Sequence, residues 1–128
     1  MKKTQKRNRR RPARPRLSSE LTVGITAALD KKAENAIVLD LTKASAFTDF
    51  FVICTGANSR QVRAIADNIQ QAIAVLGTRP ALVEGYERGE WILIDYFDFI
   101  FHVFTPATRE FYGLERLWGD AERVEVTT

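Results

Sequence analysis

Between Ser59 and Gly77, apolar side chains recur at Val62, Ile65, Ala66, Ile69, Ala72, Ile73 and Leu76. That three-and-four spacing is an α-helix with one buried face, and Gly77 ends it. Directly ahead lies FFVICT, Phe50 to Thr55, a short apolar and β-branched run that reads as a strand buried on both faces. Residues 56–59 turn one into the other. A strand, a glycine turn and an amphipathic helix in succession commit the chain to an α/β architecture, because the helix must bury its stripe on the sheet that holds the strand.

The flanking segments supply the rest of that sheet. Ser18 or Ser19 can cap a first helix, in which Leu21, Ile25, Ala28 and Leu29 share a face through about Lys32. Residues 36–41 (AIVLDL) form a strand. Residues 80–84, Trp91 to Asp95 (WILID) and Phe99 to Phe104 (FIFHVF) make three more, joined by short links as an antiparallel meander. Thr105 and Pro106 suit the N-cap and first position of a last helix bearing Phe111 and Leu114, weakened by Gly113. The order α-β-β-α-β-β-β-α predicts a mixed five-stranded sheet flanked by helices. At 128 residues and 45% hydrophobic, the chain has room for one such domain, expected over residues 18–124, with tails at 1–17 and 125–128.

Charge is divided sharply along the chain. Residues 1–16 hold nine of the nineteen basic residues and no acid, which leaves ten basic against sixteen acidic residues downstream. The net charge of +3 therefore hides an acidic domain whose field repels phosphate and attracts basic proteins. The basic segment has no apolar periodicity and contains Pro12 and Pro15, so it reads as disordered. It is either a solubilising arm or a contact to rRNA. One cysteine, Cys54, leaves no internal disulfide to form and suits a reducing compartment. With no apolar leader or span, the cytoplasm is the expected location.

Residues for catalysis are scarce. His102, the one histidine, sits inside an apolar strand and reads as a packed, hydrogen-bonded side chain. Cys54 has no basic neighbour in sequence to lower its pKa and reads as a small hydrophobe. The loop at 55–59 could cradle a phosphate at a helix N-terminus, but it lacks the GK[ST] and GxGxxG patterns, and Asn58 or Ser59 could simply cap the helix. Asp95 and Asp98 are three apart across a turn, a poor pair for Mg²⁺. No metal or cofactor is expected, and a metal-dependent nucleotidyltransferase is the alternative to a binding protein. The aromatic residues Trp91, Tyr96 and Phe97, beside Glu84, Asp95 and Asp98, form the candidate partner-binding surface. Tyr96 and Phe97 fall where a tight turn would expose their rings. Such a turn, or an exposed sheet edge, could also pair two copies of the chain.

Residues 48–56 (TDFFVICTG), 59–67 (SRQVRAIAD), 84–85 (EG), 91–95 (WILID), 102–106 (HVFTP), 109–112 (REFY) and 114–118 (LERLW) closely resemble the ribosomal silencing factor, or Iojap-like, family. The resemblance spans about residues 18–122. It implies a nucleotidyltransferase-like fold without that superfamily's activity. It further implies a translational repressor that binds the L14-family protein of the large ribosomal subunit and blocks small-subunit joining when nutrients are short. Phe97 departs from the family's usual glycine before the aspartate of this turn.

Overall fold

The computed structural model describes residues 17–44, 46–124 and 126. The basic segment at 1–16 lies outside them, and so does its reading as disordered. Four helices, α1 (Ser19–Asp30), α2 (Ser59–Val75), α3 (Pro106–Tyr112) and α4 (Leu114–Leu117), accompany six strands. The strands are β1 (Glu34–Asp40), β2 (Phe50–Thr55), β3 (Leu82–Glu84), β4 (Trp91–Asp95), β5 (Phe99–Phe104) and β6 (Glu122–Val124). They form one mixed sheet in the order β3-β4-β5-β2-β1-β6, in which β2 and β5 run parallel and every other pair is antiparallel.

The sheet has six strands where five were expected. The sixth is three residues long, Glu-Arg-Val, and pairs with the edge of β1 from Val38 to Asp40. Its charged residues and short length give it no apolar run, so only the pairing reveals it. Leu17 and Val126, at the two ends of the described chain, both pack against the core.

Two apolar layers sandwich the sheet. On one face, α1 and α2 bury Leu21, Ile25, Val62, Ile65, Ile69 and Ile73 against Val52, Cys54, Ile92, Ile94, Phe101 and Val103. On the other, Leu39, Leu41, Phe51, Ile53, Ile100 and Phe104 are covered in part by Leu114, Trp118 and Ala121. Each fully buried Leu, Ile or Phe contributes ~1.5–3 kcal/mol. The caps are local: the Ser18 hydroxyl accepts from Leu21 N at 3.2 Å, and the Asn58 side chain from Gln61 N at 2.9 Å. No helix among the described residues is long and apolar enough to cross a membrane.

The approach of α1 to the sheet depends on Gly24. A Cβ there would overlap the ring of Phe101 and stand 2.9 Å from Ile73 Cδ1, and both neighbours are fully buried and cannot swing aside. Alanine would gain ~1 kcal/mol in helix propensity, but overpacking of this kind costs ~1–3 kcal/mol. Gly24→Ala is therefore expected to lower the urea unfolding midpoint, with a net loss of up to ~2 kcal/mol. An unchanged midpoint would mean that α1 rides further from β5 than this packing describes.

Candidate functional site

Strand parity divides the six nominated residues. Ile92 and Ile94 point to the helices, so Trp91, Leu93 and Asp95 lie on the opposite face. The β3 pairing brings Glu84 beside Leu93 and Leu82 beside Asp95 on that same face. There Trp91 stacks on Phe104 with ring centroids 5.0 Å apart and meets Tyr112 of α3 at 4.7 Å. Phe111, 78% exposed, stands edge-on to Tyr112. The result is a continuous patch of Trp91, Leu93, Leu82, Tyr112 and Phe111, edged by Glu84 and Asp95. Because α4 and Trp118 cover only the β1, β2 and β5 side of this face, the β3–β4 end stays open among the described residues. Leu82, Phe111 and Tyr112 were not singled out from the sequence, because α3 brings the last two to Trp91 from beyond the next strand.

Tyr96 is a correction. Its ring is buried, stacked on Phe99 at 5.0 Å and edge-on to Phe101, on the helix side of the sheet. Burial pushes its hydroxyl up to about 12, and the buried oxygen has no hydrogen-bond partner among the described residues. Phe97, in contrast, is 72% exposed at the tip of the turn, with a φ of +73°. The Asp95 carboxylate accepts from Phe97 N at 2.8 Å, Thr48 donates to the Phe97 carbonyl at 2.6 Å, and Tyr96 N bonds Phe99 O at 3.0 Å. Those bonds over-determine the turn and hold a side-chain-bearing residue where glycine is usual. Asp98 is exposed, and its carbonyl accepts from Asp49 N at 3.0 Å, tying the turn to the start of β2.

The remaining chemistry-bearing residues serve packing. Trp91 Nε1 donates to His102 Nδ1 at 3.1 Å, which places the imidazole proton on Nε2. The ring lies between Phe51 and Phe104, and burial lowers its pKa to about 3. Desolvation likewise raises the Cys54 thiol to about 12, outweighing nearby Arg109. At the head of α2, Asn58 caps Gln61 N while Gln61 Oε1 accepts Ala57 N at 2.7 Å, a reciprocal box that occupies the backbone a phosphate would use. Beside the carboxyl ends of the parallel strands, a cavity of about 460 Å³ is lined by Thr55, Arg109 and Glu115. Its cation is already engaged, because Arg109 pairs with Glu115 at 2.8 Å and donates to the Thr55 hydroxyl at 2.7 Å. No group of three potential metal ligands occurs among the described residues.

The description "ribosomal silencing factor during starvation" matches residues 15–128. The chain belongs to this family. It is 42% identical over 106 residues to a ribosomal silencing factor of Halalkalibacterium halodurans, covering 83% of this chain and 91% of that one. The crystal structure of a Chromobacterium violaceum protein superposes with a TM-score of 0.76 at 33% identity, over 85% of this chain and 88% of the other. A mouse protein named for mitochondrial assembly of the ribosomal large subunit is 29% identical over 91 residues, spanning 69% of this chain and 40% of its own length.

Two measurements follow from this geometry. Left-handed backbone costs a side-chain-bearing residue ~1–2 kcal/mol, against ~0.5–1 kcal/mol for the extra chain freedom of glycine. Phe97→Gly should therefore raise unfolding free energy by ~0.5–1 kcal/mol, while Phe97→Ala, which keeps the strain, should not. Equal effects in urea melts would show that the ring, and not the backbone, carries the difference.

The second concerns acid. An unfolded imidazole titrates near 6.5, whereas folded His102 titrates at about 3. Between these values the unfolded chain takes a proton that the folded one refuses. His102 thus contributes stability that is fully present above about pH 6.5 and is lost as pH falls toward 3. The unfolding free energy of His102→Gln should fall less steeply from pH 6.5 to 4, by up to ~1.4 kcal/mol per pH unit. Parallel profiles would mean that the wild-type ring takes up its proton without unfolding.

Proposed function

We propose that this protein represses translation by docking on the L14-family protein of the large ribosomal subunit and sterically blocking the small subunit. The observation that carries the reading is the open β3–β4 end of the sheet, with Trp91 at its centre and Glu84 and Asp95 at its edge. Aromatic anchors flanked by carboxylates suit a basic protein surface, and the acidic domain favours such a partner at long range. Family membership and the ribosomal names of the relatives point the same way. Occlusion needs bulk and not catalysis, and a domain ~26 Å across is large enough to obstruct a subunit bridge. Phe97 extends the surface onto the turn, whereas Tyr96 and Asp98 lie toward the helix side and stand outside it.

The test is subunit joining. Purified large and small subunits are mixed at moderate Mg²⁺ with and without the protein and resolved on a sucrose gradient. The joined peak should shrink, with the protein migrating beside large subunits alone. Glu84→Lys combined with Phe111→Ala changes two exposed side chains and leaves the core intact. That variant should lose at least tenfold in binding, about 1.4 kcal/mol. Undiminished cosedimentation would remove this face from the mechanism, and an unaltered joined peak with wild type would remove the mechanism itself.

A further inference from the structure

A surface helix ordinarily attaches to its sheet by an apolar stripe. Among the described residues α3 buries no side chain, and its rings Phe111 and Tyr112 are exposed. The long side chain that it turns inward is Arg109, which is 12% exposed. All three guanidinium nitrogens of Arg109 are engaged. Nη1 donates to the Thr55 hydroxyl at 2.7 Å, while Nε and Nη2 donate to Glu115 Oε2 at 3.2 and 2.8 Å. Thr55 is the buried last residue of β2, and Glu115 stands in the first turn of α4. Burial alone would raise the Glu115 carboxyl, but hydrogen bonding and charge, led by Arg109, outweigh it and hold that carboxyl below its ordinary range.

The ion pair spans a joint. Gly113 ends α3 and begins α4 in left-handed backbone, with φ 56° and ψ 47°, and it has no side chain to fix the angle between the two helices. Arg109 lies before the joint and Glu115 after it. Arg116 also crosses it, reaching the Glu110 carbonyl at 3.3 Å from an exposed position. Beyond the joint, Leu114 and Trp118 pack over the β1, β2 and β5 side of the sheet, whereas before it Tyr112 stands 4.7 Å from Trp91. We propose that Arg109 is a positioning residue of the open face, holding α3 so that Tyr112 stays against Trp91 with Phe111 presented beside it. The consequence for ribosome docking rests on the function proposed above. Arginine suits the task because a planar fork serves two acceptors in a fixed geometry, whereas a lysine ammonium is a point charge on a flexible stem. The start of α3 is pinned separately, where Thr105 N bonds Glu90 O at 3.0 Å. Loss of the Arg109 fork therefore frees the far end of the helix, the end that bears the rings.

The experiment uses the full chain and two readouts: NOEs between the Trp91 and Tyr112 rings, and cosedimentation with purified large subunits. Arg109→Lys keeps the charge and loses the fork. Thr55→Val removes the acceptor on β2, and Thr55→Ser retains it. The NOEs should fall by at least half in Arg109→Lys and in Thr55→Val and persist in Thr55→Ser, while the amide resonances of β4 and β5 stay in place. Large-subunit binding should weaken by about fivefold in the first two, the effect of loosening one anchor of an interface. Thr55→Val acts from the strand and keeps the test valid if Arg109→Lys fails to fold. An ion pair that served stability alone would lower the urea midpoint and leave the NOEs of the folded protein unchanged, which overturns the proposal. Equal NOE loss in Thr55→Ser and Thr55→Val would overturn it too, because the hydroxyl would then not be what holds Arg109. NOE loss with undiminished cosedimentation would uphold the clamp and remove this face from docking.

Discussion

The parallel pairing of β2 with β5, continuous from Phe50 opposite Phe99 to Thr55 opposite Phe104, is the constraint from which the rest follows. Parallel strands cannot be joined by a tight turn, so the chain between them must cross over, and α2, β3 and β4 form that crossover. Both strands are apolar on both faces, so both faces need cover. The helices α1 and α2 complete one layer. The other is left to the short segment carrying Leu114 and Trp118, which reaches Phe51 but does not cross to β3. The open patch around Trp91 is thus a consequence of topology: a two-faced sheet with cover for one and a half faces.

Most of this was legible because the informative segments have a pure period. The stripe from Val62 to Ile73 and the unbroken runs of β2 and β5 admit few readings, and the helices and central strands fall where the pattern places them. β6 was not legible, since its three residues hold an edge position through backbone bonds that no side-chain pattern reports. At the site, parity carried more information than was taken from it. Ile92, Ile94 and Tyr96 share one side and Trp91, Leu93 and Asp95 the other, so counting by two already sends Tyr96 toward the helices. Phe111 and Tyr112 had no comparable signal, because their place beside Trp91 depends on how α3 folds back after Pro106.

The turn at 96–98 shows how local strain and long-range structure are exchanged. Phe97 adopts left-handed backbone without being glycine, and it does so under bonds from Asp95, Thr48 and Phe99 that originate in three different segments. Asp95 and Phe99 belong to the sheet and Thr48 is buried just ahead of β2, so the fold bears the strain and the ring is presented at 72% exposure. The same turn divides two chemistries. Asp95 belongs to the open face, and Asp98 lies toward Glu20 and Asp49 on the helix side.

The bond from Trp91 to His102 sets what kind of anchor the open face can offer. A tryptophan at an interface usually contributes both apolar area and an indole N–H. Here the N–H is spent internally on His102 Nδ1, and burial keeps that imidazole neutral down to about pH 3. The exposed part of Trp91 is therefore purely apolar. In the proposed docking it supplies affinity by shape and area and does not read polarity on the partner. In that docking, discrimination falls to the edge of the patch, to Glu84 and Asp95. Of these, Asp95 is already bound to Phe97 N at 2.8 Å. Glu84 is left as the carboxylate least committed within the domain, and so the one best placed to select a basic surface over a neutral one.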